Sequence, residues 1–144
     1  METVVVGVDG SQAAGVALEF AVEEAALRGA DLRVVSVWDM PTLVPPEVMA
    51  APEVFDGLRE EANSVVEEAV SRAKELRPSL RCEGVVVSGR PADVLVEEGR
   101  GAALVVVGRR GHGGLAGIFL GSVSRHVVDN APCPVVVVPP LARG

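Results

Sequence analysis

The chain contains no tyrosine, one tryptophan and three phenylalanines among 144 residues. A core with so few rings has to be filled by Val, Leu, Ile and Ala, the composition of parallel strands covered by helices. Positive charge is also scarce, because 13 Lys and Arg against 20 Asp and Glu leave a net charge of −7. That balance excludes nucleic-acid or anionic-membrane binding by bulk electrostatics, so any phosphate site has to be local. No stretch approaches the ~20 apolar residues that cross a bilayer. The opening Met1-Glu2-Thr3 and Val4-Val5-Val6 lacks the basic region and the apolar length of a signal peptide. The expected location is the cytoplasm. Cys82 and Cys133 have no CxxC spacing and no clustered histidine. Free thiols, buried or half-buried in a reducing compartment, are expected rather than a metal or redox pair.

What is present is a regular alternation. With 49% apolar and 23% charged residues, the chain reads as one globular α/β domain over residues 1–144, frayed over 139–144. Thr3 to Val8 is a β-branched run ended by Asp9-Gly10-Ser11. Ser11 suits the cap of a helix whose apolar stripe is Ala14, Ala17, Leu18, Ala21 and Ala25, with Gly29 beyond its end. Leu32 to Trp38 is a second strand. Asp39 to Pro52 holds Pro41, Pro45, Pro46 and Pro52, so it is expected to be extended, with at most a short turn of helix. A connection of this kind in a small domain is functional or mobile. Glu53 to Leu76 reads as a long amphipathic helix, Arg81 to Ser88 as a third strand, and Pro91 to about Glu98 as a helix. Ala102 to Val107, Gly121 to Asn130 and Pro134 to Val138 complete the pattern as strand, helix and strand. Strands that alternate with helices build a parallel sheet with helices on both faces.

Sheets of this kind bind ligands beyond the carboxyl ends of their strands, where the strand order reverses. The fourth strand is followed by the 108–124 run, which holds six glycines and the adjacent Arg109 and Arg110. Gly108 and Gly111 are expected to turn backbone N–H groups toward one point, an anion-binding nest. Gly121 and Ser122 then open a helix whose free N–H groups and positive dipole end attract phosphate. Ser122 and Ser124 add hydroxyl donors, and the two arginines are placed to meet phosphate oxygens. Two anion-binding devices in one loop suit a polyphosphate. Asp9 has two readings, a carboxylate that steadies the start of the first helix and a contact to nucleotide or metal. Trp38 likewise either meets a base or packs under the proline-rich segment.

Gly108-x2-Gly111-x9-Gly121-Ser122 resembles the ATP-binding signature of the universal stress protein family. The likeness extends to Val6-Gly7-Val8-Asp9-Gly10-Ser11, Val35-Ser36-Val37-Trp38, Gly89-Arg90-Pro91 and Pro132-Cys133-Pro134 with Val135 to Val138. It implies an open five-stranded parallel sheet of order 3-2-1-4-5, with the first and fourth strands adjacent at the switch point. It implies ATP as ligand, with Mg²⁺ or Mn²⁺ carried by the nucleotide. Asp9, beside Gly10 and Ser11, would lie near ribose, phosphate or the metal, and the Val37 main chain would pair with the adenine edge. Gly108, Arg109, Arg110, Gly111, Gly121, Ser122, Val123 and Ser124 would surround ribose and phosphates. Many relatives carry a small polar residue and then a basic one where Arg109-Arg110 stand, so the basic pair leaves room for a more anionic nucleotide. The resemblance also implies a homodimer through Pro134–Val138, a short apolar final strand whose open edge tends to pair with another chain.

Competing chemistries lack their residues. There is no GK[ST] tripeptide for a Walker loop, and Gly7-Val8-Asp9-Gly10 does not match the dinucleotide fingerprint. Ser122, His126 and Asp129 lie about one turn apart on one helix, where a serine-to-histidine-to-aspartate relay does not form. His126 is expected at the surface or facing a dimer partner, and His112 in an exposed loop. Three functions follow from this reading: a nucleotide-dependent stress-response or signalling module, a slow ATPase or adenylate-transferring enzyme, and a nucleotide-independent dimeric partner protein. No residue dedicated to orienting a water for hydrolysis is evident.

Overall fold

A computed structural model describes residues 2–39, 45–49, 51–109 and 121–140. Five parallel strands, β1 (Thr3–Val8), β2 (Asp31–Trp38), β3 (Cys82–Ser88), β4 (Leu104–Gly108) and β5 (Val135–Val138), lie in the order β3-β2-β1-β4-β5. This is the order expected from the family resemblance, with β1 and β4 paired where it reverses.

The helices sort by face. α1 (Gln12–Arg28) and α3 (Pro52–Leu76) cover one side, where Val4, Val6, Leu32, Val34 and Val106 meet Ala17, Leu18, Ala21, Val66 and Ala73. α4 (Pro91–Glu98) and α5 (Ser122–Asn130) cover the other, where Val5, Val35, Val105 and Val107 meet Leu95 and Val127. Strand residues alternate between faces, so consecutive valines of β1 and β4 feed both cores. Leu32, Val4, Val6, Val105 and Val106 are fully buried. Ion pairs tie α1 to α3 at their solvent edge: Arg72 meets Glu19 at 3.1 Å, and Arg77 donates to both carboxylate oxygens of Glu23. The Arg77 hydrogen bond holds the exposed Glu23 carboxyl below its usual pKa.

Ser11 caps α1 as its sequence position suggests, its hydroxyl accepting the Ala14 N–H at 3.2 Å. Ser11→Ala is expected to lower unfolding free energy by about 1 kcal/mol, measured by urea denaturation. The expected stripe Ala14, Ala17, Leu18, Ala21, Ala25 is buried throughout.

Several boundaries differ from expectation by one or two residues, and two of the differences have a local cause. Pro52, assigned from sequence to the extended connection, starts α3 because its fixed φ and missing N–H suit a first helical turn. The fourth strand opens at Leu104 rather than Ala102, because a turn in which Ala102 N–H donates to Gly99 O precedes it. The proline-rich stretch holds the one-turn helix α2 (Pro46–Met49), and Trp38 packs edge-on against Phe55 of α3 with centroids 6.2 Å apart. The rest of that stretch, residues 40–44 and 50, lies outside the described residues, as do 141–144 of the expected tail. Cys82 and Cys133 are free and half-buried, and burial raises both thiol pKa values, disfavouring the reactive thiolate. No described helix is long and apolar enough to cross a membrane.

Candidate functional site

The carboxyl ends of β1, β2 and β4 open onto the switch point. At β1, Gly10 adopts φ +83°, a conformation that bends the chain from strand to helix and that side chains disfavour. The turn is held by Asp9, whose Oδ1 accepts the Ser11 N–H at 2.9 Å. Asp9 therefore stands exposed at the entry to α1, a placement compatible with both of its readings. Among the described residues no group of three or more His, Cys, Asp or Glu is arranged for a metal. A single carboxylate suits a cation only if phosphate oxygens supply most of its ligands, as with magnesium nucleotides.

At β2, backbone direction singles out Val37. Asp31 N–H donates toward β1 at Glu2 O, while Leu32 N–H donates toward β3 at Arg81 O. Alternate residues thus aim their backbone at opposite neighbours. Val37 belongs to the β1-facing set, but β1 pairing ends at Val8↔Ser36 while β3 pairing continues to Trp38↔Ser88. Its carbonyl therefore faces the side of β2 beyond the end of β1 pairing.

At β4, Gly108 has a steric cause that its motif does not suggest. It is the last strand residue, paired with Val138, and it is absent from the positive-φ glycines Gly10, Gly29, Gly89 and Gly101. A Cβ at Gly108 would stand 2.8 Å from Ala13 O and 3.0 Å from Ala13 C. Gly108 lets the first turn of α1 cross the end of β4, and that contact draws the two halves of the crevice together.

Beyond Gly108 the chain passes through a neck. Arg109 N–H donates to Val138 O at 2.9 Å. Arg109 O accepts Gly121 N–H at 2.8 Å and the Ser124 hydroxyl at 2.8 Å. The Gly121 N–H, expected from sequence to be free for phosphate, is committed to this neck. Ser124, expected to add a hydroxyl donor, is only 3% exposed. What remains for an anion is the start of α5, which among the described residues has no side-chain cap, together with the exposed Ser122. The Ser122, Val123 and Ser124 amides are the unsatisfied donors of a first helical turn. Arg109 Nε is buried and has no hydrogen-bond partner among the described residues. Arg110, Gly111 and His112 lie outside the described residues.

His126, set aside as a catalytic base, stands 43% exposed with Nε2 3.1 Å from Asp93 Oδ1 of α4. It links the two helices of one face rather than serving Ser122 or Asp129. The sequence pattern missed this pair because its members come from different helices.

Comparison with known proteins agrees with this architecture. The universal stress protein family model matches residues 1–139. The chain is 42% identical over 135 residues to universal stress protein Mb2019 of Mycobacterium bovis, covering 93% of this chain and 43% of that protein. It thus spans less than half the length of the curated relatives it matches. UspA from Lactobacillus plantarum superposes with a TM-score of 0.83 at 25% identity, covering 95% of this chain and 97% of that one. A universal stress protein solved in complex with cAMP superposes with a TM-score of 0.70 at 32% identity, covering 97% and 98%.

Proposed function

The chain belongs to the universal stress protein family, and from that premise we propose that it binds ATP and acts as a nucleotide-dependent stress-response module. The observation that carries this reading is the start of α5 at the switch point, which among the described residues has no side-chain cap and is joined through the Arg109 main chain to the end of β4. Helix amides that follow directly on an arginine-bearing strand end favour a multiply charged phosphate chain. The Ser122, Val123 and Ser124 amides and Arg109 take phosphate oxygens, with Arg110 and Gly111 assigned to the same chain by the family signature. Val37 O and the end of β2 take the adenine edge, and Gly108 with Asp9-Gly10-Ser11 lines the ribose side. Asp9 shares the Mg²⁺ or Mn²⁺ that accompanies the nucleotide. The cAMP bound to a relative at 32% identity supports adenine as the base.

The same reading makes catalysis slow. Rapid phosphoryl transfer needs a group that orients the attacking water as well as positive charge. Asp9 is held by the Ser11 amide at the entry to α1, and His126 is turned to Asp93. Two copies associate through β5, whose Val135, Val136 and Val137 are half-buried and which among the described residues has a neighbour strand on one side only. Antiparallel pairing of two such edges satisfies both.

The test is mass spectrometry of small molecules copurifying with the native protein, joined to urea denaturation with and without MgATP. An adenine nucleotide is expected in the native preparation. At a ligand concentration of 1,000 Kd the unfolding free energy should rise by about 4 kcal/mol. Absence of bound nucleotide, with no stabilisation by millimolar ATP or cAMP, overturns the proposal.

A further inference from the structure

The two serines at the start of α5 have unequal surroundings. Ser122 is exposed, whereas Ser124 is 3% exposed and its Oγ lies 2.8 Å from Arg109 O, across 15 residues of sequence. A helical serine usually satisfies its hydroxyl on a carbonyl one turn back. Here that route, to Gly121 O, is the longer one at 3.4 Å. The shorter contact decides where the proton goes. A serine hydroxyl has one proton to donate, and a phosphate oxygen accepts but does not donate.

We propose that Ser124 is a positioning residue, whose hydroxyl serves the ligand by closing the neck at Arg109 rather than by touching phosphate. This rests on the nucleotide-binding reading above and assigns the parts of that site differently. Arg109 O receives two donors, Gly121 N–H and Ser124 Oγ, which use both of its lone pairs. Arg109 N–H is held by Val138 of β5. One peptide segment therefore joins the end of β4, the start of α5 and the end of β5. The Gly121 bond fixes where α5 begins, and the Ser124 bond fixes its rotation by anchoring the first turn a second time. Together they aim the amides of residues 122–124 into the crevice before any ligand arrives. Preorganised donors bind more tightly because they need not be ordered on binding. Direct hydroxyl contact to the anion falls to the exposed Ser122.

Three measurements test this on the full chain: hydrogen exchange of the Gly121 amide without nucleotide, the Kd for ATP by calorimetry, and urea stability as the control for folding. Ser124→Ala is expected to speed Gly121 exchange in the nucleotide-free protein and to weaken ATP binding, each by about tenfold. Ser124→Thr, which keeps the hydroxyl, is expected to bring both within about threefold of wild type. Should the alanine variant not fold, Ser124→Cys, with its weak donor, takes its place in the exchange measurement. Wild-type Gly121 exchange alongside a loss of ATP affinity would put the hydroxyl on phosphate and overturn the assignment. So would failure of the threonine variant to restore binding while it folds normally. Wild-type protein that binds no nucleotide overturns the functional reading, while Gly121 exchange still decides what the hydroxyl holds.

Discussion

Gly108→Ala is expected to lower unfolding free energy by about 1–3 kcal/mol, the usual range for overpacking a close-packed site. It is also expected to weaken ATP binding by tenfold or more, on the order of the 1.4 kcal/mol that a tenfold change represents. The new methyl would meet Ala13 O at 2.8 Å and Ala13 C at 3.0 Å. Those are backbone atoms in the first turn of α1, so no side-chain rotation relieves the contact. Either α1 lifts from the sheet or the end of β4 bends, and both movements open the crevice between Asp9 and Arg109. Gly15→Ala provides the opposite sign within the same helix. Nothing lies within 4 Å of a Cβ at Gly15, so that substitution should raise stability by about 0.5–1 kcal/mol through helix propensity. Urea denaturation and calorimetric titration of both variants check the pair. Wild-type stability and affinity in Gly108→Ala would remove the close-approach explanation of this glycine.

The parts of the fold that were legible in sequence are those set by local pattern. Runs of β-branched residues located all five strands, and the alternation of strand and helix gave the parallel class. The stripe on α1 and the Ser11 cap are likewise properties of adjacent turns. Strand order was not available from pattern, since nothing in β1 or β4 names its neighbour; it came from the family signature. At the site, the close approach of Ala13 is a cause for Gly108 that local reasoning did not supply. A nest and a close approach both favour glycine, and the second is visible only from the position of Ala13, 95 residues earlier in the chain. The Ser124 bond to Arg109 O and the His126 pair with Asp93 were hidden for the same reason. Side chains choose partners in space, and sequence separation carries no record of that choice. Val37 is the intermediate case. Its backbone direction follows from strand alternation, but its open side depends on β1 pairing ending two residues before β3 pairing does.

Leu32→Ala is expected to cost about 2–5 kcal/mol of unfolding free energy, the largest loss anticipated for a single truncation in this core. Leu32 is fully buried, flanked in register by Val4 and Cys82. It packs in the cluster formed with α1 and α3, where closely fitted alanines leave little freedom to collapse into the cavity. Its distance from the site makes it informative. Leu32 precedes Val37 by five residues, about 17 Å along a strand at 3.3–3.4 Å per residue. The cavity should therefore leave the crevice unchanged, and ATP should bind the folded fraction with wild-type Kd. Saturating ATP should also add the same increment of stability to Leu32→Ala as to wild type, because that increment depends on ligand concentration and Kd alone. Gly108→Ala should show less destabilisation and much weaker binding, the reverse ordering of the two effects. If Leu32→Ala lost affinity in proportion to its lost stability, binding would be following global rigidity, and the local geometry of Gly108, Arg109 and α5 would no longer explain it.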